Sequence, residues 1–104
     1  MTARFDFAEF EWDEHNASKN GRKHNVSPAE CEEIFFNEPL LIARADPSKI
    51  LYNERRLLAY GSTNGGRPLF IVFVIRGNKI RVISARDMSR KERSFYHEET
   101  EKTD

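Results

Sequence analysis

Cysteine is almost missing from this chain: Cys31 stands alone among 104 residues, so no internal disulfide can form and a reducing compartment is expected. Long apolar runs are missing too. The longest, Leu69 to Ile75, falls well short of the roughly 18 residues of a membrane span, and no apolar stretch follows a basic start. Neither export nor membrane insertion is therefore expected, and the cytoplasm is the expected location. Glycine and proline are sparse, at 5 and 4 residues, with no repeat, low-complexity tract or long linker. Residues 1–104 read as one domain, long enough to bury roughly 65% of its unfolded surface without metal or disulfide support. There is no glycine-rich phosphate loop, no serine nucleophile elbow and no paired-carboxylate spacing. Net charge is also absent: 17 basic side chains balance 17 acidic ones, which argues against nucleic-acid binding by the molecule's overall charge.

What the neutral average hides is segregation. Residues 1–14 carry Arg4 against Asp6, Glu9, Glu11, Asp13 and Glu14, whereas residues 76–93 carry Arg76, Lys79, Arg81, Arg86, Arg90, Lys91 and Arg93 against Asp87 and Glu92. The basic stretch begins inside a hairpin. Leu69 to Ile75 is apolar, Gly77-Asn78 forms a two-residue turn that permits φ > 0, and Lys79 to Ala85 resumes as a strand. Two-residue closure sets Arg76 opposite Lys79, Ile75 opposite Ile80, Val74 opposite Arg81 and Phe73 opposite Val82. One face collects Leu69, Ile71, Phe73, Ile75, Ile80 and Val82 as core; the other collects Arg76, Lys79 and Arg81, then Val74, Val72 and Ile83. Cations clustered on a rigid sheet suit a phosphate-bearing partner.

The remaining elements follow from caps and alternation. Phe7 to Trp12 alternates apolar and acidic residues, as a short edge strand does. Asp13 is an N-cap for a helix running to about His24, with Asn25 suited to the left-handed stop. Ser27-Pro28-Ala29-Glu30 is a capping box with proline at the first helical position, and Cys31, Ile34 and Phe35 give its helix an inward stripe before Pro39. Leu40 to Arg44 and Arg55 to Ser62 read as strands, separated by a polar loop from Asp46 to Asn53; Thr63-Asn64-Gly65-Gly66 leads into the long hairpin, and Gly61 reads as a turn residue. Ser89-Arg90-Lys91-Glu92 is a second capping box and opens a last helix to about Glu99. The order β-α-α-β-β-β-β-α predicts an α+β fold, an antiparallel sheet with two N-terminal helices and a C-terminal helix over one face.

Taken in order, Trp12-Asp13, Asn20, Lys23-His24, Val26, Glu54, Arg56, Gly61, Arg76-Gly77, Arg81, Ile83-Ser84-Ala85-Arg86, Glu92 and Tyr96 resemble the BrnT family of toxins over roughly residues 10 to 97. The resemblance implies a small RelE-like domain and an endoribonuclease that stops translation in the bacterial cytoplasm. It further implies a cognate ribbon-helix-helix (BrnA-like) antitoxin, held with the toxin in a heterotetramer that reaches DNA only through the antitoxin. Three positions depart from the family pattern: Asn16 replaces a lysine, Asn25 a glycine, and Ile75 an acidic residue.

Metal-independent RNA cleavage needs a base for the 2′-OH, cations for the charge on the phosphorane and an acid for the leaving oxygen. Arginine suits the second role, since its fork grips two phosphate oxygens and stays protonated. Arg56, Arg76 and Arg86 are thus the catalytic candidates, with ion pairing to Glu54, Asp87 or Glu92 as the plainer alternative. An imidazole can serve as acid or base close to neutrality, so His24 is the candidate for either role, unless it only caps its helix. Lys23, Lys79, Arg81 and Tyr96 are expected to bind RNA, although Tyr96 with Phe95 could instead dock the last helix. Arg76, Lys79 and Arg81 are also expected to meet an acidic-aromatic segment of the antitoxin. With two-residue turns and no bulge, Arg86 and Arg56 fall on the face opposite Arg76; a bulge, or a longer loop after Ser62, reverses part of this. No cofactor or metal is expected, because His15 and His24 lie about 180° apart around a helix at roughly 100° per residue. Cys31 reads as a buried thiol.

Overall fold

In the computed structural model, residues 9–45 and 55–101 are described; the loop expected at Asp46 to Asn53, and Glu54 after it, fall outside them. Gly77, at φ 61, turns the long hairpin between β4 (Pro68–Arg76) and β5 (Lys79–Asp87). Pairing follows the expected register from Arg76–Lys79 to Phe73–Val82 and then shifts: Val72 pairs with Ser84, so Ile83 is bulged out and Arg86 comes to face Phe70. On the other edge of β4 lies β3 (Leu57–Ser62), and Ser62 pairs with Pro68 across a loop of residues 63–67. β2 (Leu41–Arg44) adds beyond β3, giving the order β1-β5-β4-β3-β2.

Of the strand expected from Phe7 to Trp12, Phe7 and Ala8 lie outside the described residues; the strand ends at Phe10 and differs from expectation in direction. β1 is Glu9–Phe10 and pairs parallel to β5, so the sheet is mixed rather than antiparallel. Asp13 caps α1 (Glu14–His24) by accepting the Asn16 N–H at 3.0 Å, while Asn16 Oδ1 accepts the Asp13 N–H at 2.7 Å. The Asn16 amide also donates to the carbonyls of Glu11 and Val82, at 3.0 and 3.2 Å, tying α1 to β5 where β1 has ended. Asn25 takes the left-handed stop at φ 55. α2 (Pro28–Phe36) carries the Ser27–Glu30 capping box, and α3 (Arg90–Glu101) carries the Ser89–Glu92 pair.

The helices do not share one face. α2 packs Ile34, Phe35 and Cys31 onto Ala59, Leu69, Ile71, Phe73, Ile80, Val82 and Ala85. α3 lies on the other side, where Tyr96 and Met88 pack with Tyr60, Phe70, Leu41 and Leu58. An apolar stripe on both faces of β3 and β4 is what allows both layers. Gly61 is not in a turn but inside β3, where an added Cβ would stand 3.1 Å from Ile34 Cβ, so its bare backbone lets α2 approach. Ile75, expected in the core, has the right parity but is 48% exposed.

Candidate functional site

The bulge at Ile83 and the loop of residues 63–67 put Arg76, Arg81 and Arg86 on one side of the sheet with Arg56, which lies just before β3 although the strand was expected from Arg55. Arg76 and Lys79 form the row nearest the turn. In the next, Val74 pairs with Arg81, and Arg56 lies beside Val74 because Leu57 pairs with Phe73. Then come Val72 with Ser84, and Phe70 with Arg86. Arg56, immediately before β3, and Arg81 on β5 flank Val74 and stand about 10 Å apart at the backbone. The Arg56 Nε is buried and makes no hydrogen bond. Arg76 and Arg86 share the face but are separated by about 20 Å of strand, so they do not converge on one phosphate.

Carboxylates from neighbouring elements already meet these cations. Glu11 Oε1 lies 3.4 Å from Arg81 and 3.9 Å from Arg76, and Asp13 Oδ2 lies 2.9 Å from Arg81. The Asn16 N–H first, and Arg81 after it, hold the Asp13 carboxyl below the usual carboxylate range. Arg86 is clasped by Glu92 through two bonds of 2.7 and 2.9 Å and lies 4.5 Å above the Phe70 ring. Lys79 is exposed.

Other expected site residues lie elsewhere. His24 and Lys23 are exposed at the end of α1, where the His24 carbonyl accepts from Arg67 and His24 lies close enough to Asp87 to act on its charge. That is the opposite end of β5 from Arg76 and Arg81, so the structure does not join His24 to them. Tyr96 is 3% exposed and its hydroxyl donates to the Pro39 carbonyl, so it docks α3 and presents no ring face on which a base could stack. Cys31 is buried, which pushes its thiol up to about 12. Among the described residues no group of three or more His, Cys, Asp or Glu side chains could hold a metal ion, and no helix is long and apolar enough to cross a membrane.

Sequence reasoning passed over Arg67. Its guanidinium bonds Asp87 at 2.6 and 3.1 Å, Glu30 at 3.2 Å and the Asn25 carbonyl at 2.8 Å, joining the end of α1, the start of α2 and the end of β5. Its acidic partners lie 20 and 37 residues away, beyond any local pattern. Arg67 is the chief cause of the lowered Asp87 pKa and, after the Ser27 N–H, contributes to that of Glu30; Arg86 lowers Glu92. A carboxylate depressed on folding stabilises above its unfolded pKa and loses that contribution as pH falls through the folded value. Thermal midpoints should therefore hold from about pH 7 to about pH 5 and drop steeply below about pH 4. In Arg67→Met the midpoint should be lower near neutrality and the acid drop shallower; calorimetry across that range checks both.

The family profile described as "Ribonuclease toxin, BrnT, of type II toxin-antitoxin system" matches residues 12–92. No curated protein sequence gives a match. Among solved structures, the chain is similar to the Brucella abortus ribonuclease toxin, BrnT, with a TM-score of 0.60 and 24% identity over 80% of this chain and 99% of that one. At that identity the likeness is one of fold.

Proposed function

Because the chain belongs to the BrnT family of ribonuclease toxins of type II toxin-antitoxin systems, we propose that its arginine-bearing sheet face is the surface that binds and cuts RNA, without a metal ion, in the bacterial cytoplasm. The observation that carries this reading is the common face: Arg76 on β4, Arg81 and Arg86 on β5, and Arg56 immediately before β3 fall on one side of the sheet by alternation from their paired neighbours. Arg56, Arg76 and Arg81 grip the scissile phosphate near the hairpin turn and stabilise the phosphorane. Arg86 and Lys79 take other phosphates of a strand laid along β5, and Ser84 lies between them. Cleavage of messenger RNA stops translation. His24 is left out of this step because it sits by Arg67 and Asp87 at the far end of β5.

A ribonuclease has to be masked in its own cell, and a type II toxin is masked by its antitoxin protein. An acidic antitoxin segment over Arg76, Lys79 and Arg81 would cover the phosphate grip by charge complementarity. A ribbon-helix-helix antitoxin is a two-fold dimer, so it would carry two toxins in a heterotetramer and bring the complex to DNA through its own DNA-binding end. One experiment tests the set. Purified protein is incubated with total RNA, alone, with chelator, and with the antitoxin encoded beside it. Cleavage that survives chelator and stops with antitoxin is expected; cleavage abolished by chelator overturns the metal-free mechanism, and intact RNA throughout overturns the cutting face.

A further inference from the structure

Cations can steady a phosphorane but cannot take the proton from the 2′-OH, so the cutting face needs a base. The hairpin supplies none near its turn, where Ile75 is apolar and of opposite parity and Arg76, Lys79 and Arg81 are all cationic. We propose that Glu11 is the general base of this ribonuclease. The assignment rests on the reading of the arginine face as the cutting surface, and deepens it.

Parallel pairing of β1 with β5 continues the Phe10–Ile80 register one step, to Glu11 beside Arg81. The backbone there is held on both sides: the Glu11 N–H donates to Ile80 O at 2.9 Å, and its carbonyl accepts from Asn16 Nδ2 at 3.0 Å. A side chain on so fixed a backbone is placed in advance for its task. Its Oε1 faces Arg81 at 3.4 Å and Arg76 at 3.9 Å. The side chain is 36% exposed, open to a substrate.

Two other carboxylates near this face are committed. Asp13 gives one oxygen to the Asn16 N–H and the other to Arg81. Glu92 gives both to Arg86 and one of them also to the Ser89 N–H. A base must stand where the phosphate is held; of the two carboxylates on β1, Glu9 lies beside Lys79, whereas Glu11 continues the register to Arg81 and meets both Arg81 and Arg76, so the place falls to Glu11. The charged groups around it are Arg76 on β4, Lys79 and Arg81 on β5, Glu9 on β1 and Asp13 before α1.

With the phosphate held by Arg76 and Arg81, Glu11 takes the 2′-OH proton as the 2′ oxygen bonds to phosphorus and the bond to the 5′ oxygen breaks. The leaving oxygen takes a proton from water, and Glu11 returns its own to the hydroxide so formed. The products are a 2′,3′-cyclic phosphate and a 5′-hydroxyl, with no oxidant, reductant or metal consumed.

Glu11→Gln keeps the shape and the contact to the arginines but cannot accept a proton. Wild type, Glu11→Gln and Glu11→Asp are compared on a short oligoribonucleotide, with its 2′-O-methyl counterpart as the uncuttable binding probe and the thermal midpoint as the folding control. Glu11→Gln should cut about 10²-fold or more slowly, bind the probe within about threefold of wild type, and lose the fall in rate that wild type shows on acidification. Glu11→Asp, still a base, should recover part of the rate. A glutamine variant that cuts within about threefold of wild type overturns the assignment. So does one that loses probe binding along with cleavage, because Glu11 would then act by positioning Arg76 and Arg81. Wild-type protein that binds the oligoribonucleotide without cutting it would instead overturn the cutting-face reading.

Discussion

Arg76→Ala is expected to lower RNA cleavage by roughly 10²–10³-fold, the usual cost of losing one preorganised group from a charge-stabilising site, and to leave the thermal midpoint where it was. The side chain is 52% exposed, and ion pairs made by so exposed a cation add little to stability. Arg86→Ala should behave differently although it sits on the same face. Its removal takes the cation from both oxygens of Glu92, a side chain only 21% exposed in which one oxygen keeps only the Ser89 N–H, and uncovers the Phe70 ring. Leaving such a charge without its cation costs roughly 1–3 kcal/mol, several degrees of midpoint at this size, so activity and stability should fall together. Initial rates on an oligoribonucleotide, set beside calorimetric midpoints, separate the two. Early melting of Arg76→Ala with specific activity retained would make Arg76 a structural ion-pair member and move the phosphate grip elsewhere.

What could be read from the chain and what could not divides along the range of the forces involved. Ser27-Pro28-Ala29-Glu30, Ser89 with Glu92, Asn25 and Gly77-Asn78 each act within four residues, and the caps, the left-handed stop and the hairpin register all formed as their chemistry demands. The bulge at Ile83 has no such mark. Val82-Ile83-Ser84 is ordinary strand sequence, and the extra residue is tolerated because Ala85 still turns inward onto Ile71 while Arg86 reaches Glu92. Arg56 and Arg76 therefore share a face through a loop length and Arg76 and Arg86 through a bulge, neither of which alternation encodes. The α+β class was legible, but the placement of α3 was not, since Tyr96 and Phe95 are equally good packing residues for either side of a sheet that is apolar on both. Glu11 showed only as the acidic half of an alternation, because its meaning comes from a parallel pairing with a strand some 70 residues away. Short-range chemistry made the elements; the site was made by long-range register.

Phe73→Ala should destabilise the fold by about 3–5 kcal/mol without touching the chemistry. The ring is fully buried, stands edge-on to Phe35 at 5.1 Å between centroids, and Phe35 in turn meets Phe10 at 5.5 Å, so this one side chain links β4 to α2 and through it to β1. Leu57 and Val82 flank it on the neighbouring strands and are held by their own backbone ladders, so they cannot slide in to close the space. Against a total stability of about 5–15 kcal/mol for a chain of this kind, the loss brings unfolding near working temperature. Alternation keeps the damage on one side, because Phe73 points to α2 while Val74 and the arginine row point away. The folded fraction should therefore cut RNA at close to the wild-type rate in the cold, and urea titration should show a lower midpoint with a similar slope. A cost below about 1 kcal/mol would mean that the Phe10–Phe35–Phe73 stack is not what anchors α2, and that Ile34 against Gly61 carries that contact instead.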